Sequence, residues 1–433
     1  MNIKLYFTVL IVFSSCVERF EIPKIINSES SDLFGAGDTT YLELKPVWDE
    51  TYGLEDPSEI SIAPDGRIFV SDRLGNSIHV FNQDGSRAQG FEPLGNLTNQ
   101  NSESLYPIDV DIDGKMNVFF IDGSEIIYVW NQYWNEVGIS KVSSSILFNH
   151  VETDVDTMVD FDSDVWYSML NSDDWQIKEI NFMNDQNLIQ DLLKPHVFYD
   201  GKEDINLFND AFYQPDSSRF KGITSNSNQD NIFVVDDFGG LNNQHRIIQI
   251  DFKRRLLIEL NSNDTVWVYK GEFGSSIKGF GTGSGTVNKP SSLDIDYQGN
   301  LYYTQKGEFF PVHMIIPNYS GDFATFNSGF EPGVNDIMDA SQYGEVVDIS
   351  VDNDKNVYIV DVEQKEVTIF NSKGNFFKNI QYTVGGDSSF IMNAPVAITV
   401  DDRGILYVCD EADKSIYRFK LSNNLDEDII IED

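Results

Sequence analysis

The sequence predicts an all-β chain folded as one closed radial array of four-stranded antiparallel blades. Three observations carry that expectation. One pattern, clearest over residues 57–81, returns along most of the 433-residue chain. Its copies keep fixed internal spacings. Apolar residues within each copy alternate with a period of two, and no helical period of useful length stands beside them.

In the clearest copy, Ile60 and Ile62 alternate with polar residues, Asp65-Gly66 supplies a turn, and Ile68-Phe69-Val70 runs to Asp72. A polar loop through Asn76 leads to Ile78-His79-Val80-Phe81. Short period-2 segments joined by turn residues form an antiparallel meander. Asn82-Gln83-Asp84-Gly85 reads as the next hairpin turn, with residues 87–91 as a fourth strand.

Pro57 to Ile62 is five steps and Ile62 to Asp72 is ten, and Pro107, Ile112, Asp122 and Pro395, Val400, Asp410 keep both intervals. Pro290 and Ile295 keep the first, with Gln305 in place of the closing Asp. Val351 and Asp361 keep the second, with Val346 at the Pro position. Fainter units lie around residues 159–168 and at Ile232-Phe233-Val234-Val235-Asp236. Units therefore start at Pro57, Pro107, Thr157, Lys221, Pro290, Val346 and Pro395. That count gives seven blades, or six if the Thr157 unit is not a blade.

These residues resemble the NHL repeat, which runs from a Pro through an Ile-x-Val pair, Asp-x-x-Gly-Asn, an apolar triplet and Asp to a polar loop and Ile-x-x-Phe. The resemblance covers residues 57–421 and implies a single β-propeller. It leaves function open, because propellers host binding platforms, scaffolds and enzymes alike.

The chain carries 70 acidic against 30 basic residues, a net charge of −40. Such a surface repels nucleic acid and attracts cations or basic partners. Lys4, the apolar run of residues 5–13 and Ser14-Ser15-Cys16 resemble a bacterial lipoprotein signal, which implies cleavage before Cys16 and acylation of its thiol and new amine. That run is too short to span a bilayer. The expected organisation is a signal peptide over residues 1–15, an acylated Cys16 with a tether over 16–40, and the propeller over 41–433. The expected location is the cell envelope, at the outer membrane, with the membrane reached through the lipid alone. Without acylation the protein is secreted. A propeller ring closes by pairing its ends, so residues 41–47 are expected as the outer strand of the last blade, in competition with Ile429-Ile430-Ile431.

Most chemical motifs fail on inspection. Residues 109–114 begin like a calcium loop, but position twelve is Phe120 rather than Glu. Gly279, Gly281, Gly283 and Gly285 lack the Lys-Ser/Thr of a phosphate loop. His79, His150, His196, His245 and His313 show no metal-ligand spacing, and no serine-hydrolase elbow is present. Cys409 follows an apolar run and is expected as a buried thiol.

Two sets of carboxylates recur in register. Asp72, Asp122, Asp236, Asp361 and Asp410 close second strands and are expected to fix turns by accepting backbone N–H groups. Glu59, Asp109, Asp294 and Asp348, with Asp111, lie on first strands, which surround the central channel. Converging there, they suit a hard cation such as Ca²⁺. The expected function is a non-catalytic platform presenting a propeller face to a protein, peptide or glycan. The alternatives are a divalent-metal enzyme of lactonase or lyase type and a structural component of an envelope assembly.

Overall fold

The computed structural model describes residues 40–99, 101–132, 145–147, 194–202, 204–207, 218–226, 228–237, 245–259, 265–278, 287–307, 310–318, 325–380 and 392–422. Six antiparallel sheets make the blades of one all-β propeller. Blade 1 has strands Pro57–Ile62, Ile68–Asp72 and Ser77–Phe81. Blade 2 has Asp109–Ile112, Asn117–Ile121, Ile126–Asn131 and His196–Asp200. Blade 3 has Phe220–Ser225, Asn231–Asp236, Arg246–Glu259 and Thr265–Lys278, with Ser145–Leu147 paired to its third strand. Blade 4 has Pro290–Ile295, Leu301–Gln305, Val312–Asn318 and Thr325–Ser328. Blade 5 has Val346–Val351, Val357–Asp361, Glu366–Phe370 and Phe376–Ile380. Blade 6 has Pro395–Val400, Ile405–Asp410 and Ser415–Ser422, with Thr40–Trp48 as its outer strand.

The ring has six blades, the lower of the two counts expected. Asp109 and Asp111 of blade 2 accept hydrogen bonds from the Ile223 and Ser225 backbone N–H groups of blade 3, at 2.7 and 2.5 Å. Two inner strands bonded this closely leave no room for a blade between them. The Thr157 unit instead falls within an insertion of blade 2, between its third and fourth strands, and lies outside the described residues. The third blade also starts one residue earlier than expected. Phe220, not Lys221, pairs with Asp236 as Pro57 pairs with Asp72.

The fourth strand expected over residues 87–91 is reduced to one bridge, Phe81 with Arg87. Gly90 (φ 84°) and Pro93 then turn the chain into a short 3-10 turn at Glu92–Leu94. Phe91, Leu94 and Leu97 are buried with Phe69 of blade 1 and Trp130 of blade 2. The segment therefore serves as an inter-blade plug, not as a strand.

Closure falls to the N-terminal strand. Trp48 is fully buried between Phe81 of blade 1 and Tyr407 of blade 6, at ring-centroid distances of 5.0 and 5.7 Å. The Arg418 guanidinium lies over its ring and donates to the Pro46 carbonyl at 2.9 Å. The rival segment Ile429-Ile430-Ile431 lies outside the described residues.

In blades 1, 3, 5 and 6 the second-strand carboxylates tie the blade to the chain that enters it. Asp72 accepts from the N–H groups of Glu55, Asp56 and Gly75, Asp361 from Gly344, Glu345 and Gln364, and Asp410 from Asn393, Ala394 and Asp413. Asp122 accepts from Ser124, and Asp236 from Arg219 N–H and the buried Arg246 guanidinium. Gln305 has the same geometry by different chemistry: its carbonyl oxygen accepts from Asn288 N–H at 2.8 Å. Asp410→Ala strands three such donors, so unfolding in denaturant should show a loss on the order of 3 kcal/mol.

Candidate functional site

Strand register defines two layers of side chains along the channel. In the inner layer, Glu59, Asp109, Ser292 and Asp348 each pair with the residue before the closing one, opposite Ser71, Ile121, Thr304 and Val360. Two residues on, Ser61, Asp111, Thr224, Asp294, Ser350 and Thr399 form a second layer, all opposite an aromatic residue. These aromatics are Phe69, Phe119, Phe233, Tyr302, Tyr358 and Tyr407. The channel space between the layers measures about 50 Å³. Beyond the second layer it widens to a mouth of about 420 Å³.

All five channel carboxylates expected from the sequence therefore line one passage. Four of them also stitch blades together. Asp109 and Asp348 accept from Ile223 and Ile398 N–H, both at 2.7 Å, each one residue along the next inner strand. Asp111 and Asp294 repeat the relation with Ser225 and Val351 N–H. Hydroxyls join on the other side, Ser61 donating to Asp111 and Ser292 to Asp348. Glu59, one methylene longer, turns back to its neighbour's Ile60 N–H at 3.0 Å.

Burial sets the protonation of this passage. It pushes Glu59 well above the usual carboxylate range, and the neighbouring Asp348 and Asp109 charges push the same way. Asp109 is raised well above its usual range by burial, against the opposing effect of the Ile223 bond. Burial also raises Asp111, Asp294 to about 7 and Asp348 to about 6.

Among the described residues no three His, Cys, Asp or Glu groups are arranged to hold a metal ion. One oxygen each of Asp109, Asp294 and Asp348 accepts a backbone N–H of the next blade. The four described histidines have separate partners: His79 with Asp72, His313 with Gln305, His245 with Asp237 and His196 with the Lys194 carbonyl. Cys409 is fully buried, and Cys16 and His150 lie outside the described residues.

First-hairpin turns of blades 1, 5 and 6 build the mouth wall. Asp111, Asp294, Asp352, Asp354, Asp401 and Asp402 line it, without any Lys, Arg or His among the described lining residues. Asp352 caps its own turn, accepting from Asn356 N–H, the Asn356 amide and Tyr358 hydroxyl at 2.7–2.9 Å. Asp401 likewise accepts from Arg403 and Ile405 N–H and from the Arg403 guanidinium. The sequence reading missed the hydroxyl members of the second layer. Their signal was present: the position four past the repeat's Pro is polar in every blade.

No protein-family model matches the chain, and no curated protein is detectably similar in sequence. Solved structures with a similar fold include a gluconolactonase from Xanthomonas campestris, at 10% identity and TM-score 0.46, covering 91% of this chain and 93% of that one. Virginiamycin B lyase from Staphylococcus aureus is similar at 13% identity and TM-score 0.43, covering 89% and 100%. A luciferin-regenerating enzyme is similar at 7% identity and TM-score 0.45, covering 88% and 95%. The likeness is one of fold alone.

Proposed function

We propose that this protein is a lipid-anchored, extracytoplasmic propeller acting as a non-catalytic binding platform. Its ligand is a peptide or a segment of a protein that docks on the channel mouth. The observation that carries this reading is the 420 Å³ mouth, walled by six carboxylates and hydroxyl groups with no basic side chain, imidazole or thiol among the described lining residues. Its carboxylates repel anions and attract basic segments. The metal-enzyme alternative has no donor set among the described residues, and no observation favours a purely structural role.

A peptide array probed with purified protein tests the platform. Basic peptides should be captured, and reversing the mouth charge with Asp354→Lys and Asp402→Lys should abolish capture without lowering the melting temperature. Asp354 is exposed and Asp402 contributes one surface bond to Asn353, so neither change opens the core. Capture that survives the charge reversal would remove the mouth from the account. The anchor is tested apart from it. Cys16→Ser should release the protein from membranes in a bacterial host, and unchanged membrane partition would contradict lipidation.

A further inference from the structure

The second channel layer contains three hydroxyls with nothing to bond. Thr224, Ser350 and Thr399 are 3%, 6% and 9% exposed, and their hydroxyls have no hydrogen-bond partner among the described residues. All three line both the narrow channel and the wide mouth. Their side chains face the channel, so these hydroxyls are open to a ligand or an ordered water there. Three at one register position, on blades 3, 5 and 6, share a ring with Ser61, Asp111 and Asp294 of blades 1, 2 and 4.

From this juxtaposition we infer that the ring is a binding site for a primary ammonium group, such as a lysine side chain of the docked peptide. The inference rests on the platform reading and names what the platform recognises. An ammonium has three donors and no acceptor, the complement of a ring of hydroxyl and carboxylate oxygens. Asp111 and Asp294 adjoin the hydroxyls around the ring, and an ammonium there favours their ionised forms against the burial that raises them. Size selects against the other cationic side chain. Past the ring the channel narrows to about 50 Å³, room for a few water-sized groups. A planar guanidinium is broader and needs its donors met in one plane. The approach is graded in the same sense, a wide acidic funnel ending at a narrow floor. That shape suits a charged tip on a flexible stem.

The test uses the intact protein with N-acetyl-lysine methylamide as probe, followed by calorimetry and thermal shift. Binding should be saturable and should exceed that of N-acetyl-arginine methylamide and tetramethylammonium at matched ionic strength. Thr224→Val and Thr399→Val keep the side-chain shape and remove the hydroxyl, and each should weaken the lysine probe about tenfold. Ser350→Ala is a second route should either valine variant fold poorly. Equal binding of the arginine probe, or affinity unchanged by all three hydroxyl removals, would overturn the inference. Stabilisation by K⁺ equal to that by the lysine probe would assign the ring to a bare ion and overturn it too. The array separates this failure from failure of the platform. Peptides that lose mouth-dependent capture when lysine is acetylated support both readings. Peptides that keep it leave the platform standing and remove the ammonium site.

Discussion

Deleting residues 18–48 should lower the melting temperature sharply, while deleting 18–36 should leave it unchanged. Thr40–Trp48 is the outer strand of blade 6, and its loss exposes the edge of Ser415–Ser422. The larger part of the effect comes from Trp48, which fills the junction of blades 6 and 1 against Phe81 and Tyr407. Trp48→Ala alone should cost about 3–5 kcal/mol in denaturant unfolding, the range for emptying a buried aromatic site. A ring is held by every seam, so opening one destabilises the whole closure. Equal melting of the two truncations would show that the ring closes in another way.

The second large effect is on pH. Burial raises Glu59, Asp109, Asp294 and Asp348 above their unfolded values, Asp294 to about 7 and Asp348 to about 6. The folded state thus binds these protons more tightly than the unfolded chain does. Their contribution to stability is full below about pH 4, where unfolded carboxyls are protonated, and is lost as pH rises through 6 and 7. Melting temperature at fixed ionic strength should therefore fall from pH 5 to pH 8. Carboxylates held low by hydrogen bonds, such as Asp72 and Asp296, act in the opposite sense and at lower pH. Glu59→Gln preserves an acceptor for Ile60 N–H and removes one titrating group, so it should flatten the slope and raise the melting temperature at pH 8. A wild-type profile that is flat or rising over this range would contradict the assignment of buried, protonated channel carboxylates.

The blade pattern was legible because register in a sheet is written in period two. The interval from Pro57 to Asp72 returned as the observed pair Pro57 with Asp72, and Pro395 with Asp410 did the same. Gln305 showed that the position matters more than the carboxylate, since an amide oxygen accepts the same N–H. The blade count misled because faint periodicity near Thr157 resembles a blade, and nothing in local spacing says whether a strand joins the inner ring. Only the long-range bonds from Asp109 and Asp111 to blade 3 decide it. The plug at residues 91–97 was hidden for a related reason. Its alternation fits a strand, while Gly90, Pro93 and the space beside Trp130 favour a turn. The channel carboxylates were found on the first strands, two or four residues past the repeat's Pro position. That the oxygens of Asp109, Asp111, Asp294 and Asp348 bond the next blade depends on how blades pack.

The central claim is that a ligand binds at the channel mouth. Hydrogen–deuterium exchange of the protein with and without a captured basic peptide tests it most directly. Bound peptide should protect the first-hairpin turns, residues 61–66, 350–354 and 399–404, which wall the mouth. Protection confined to the loops that follow the second strands, residues 72–76, 361–366 and 410–415, would place the ligand away from the mouth and contradict the account.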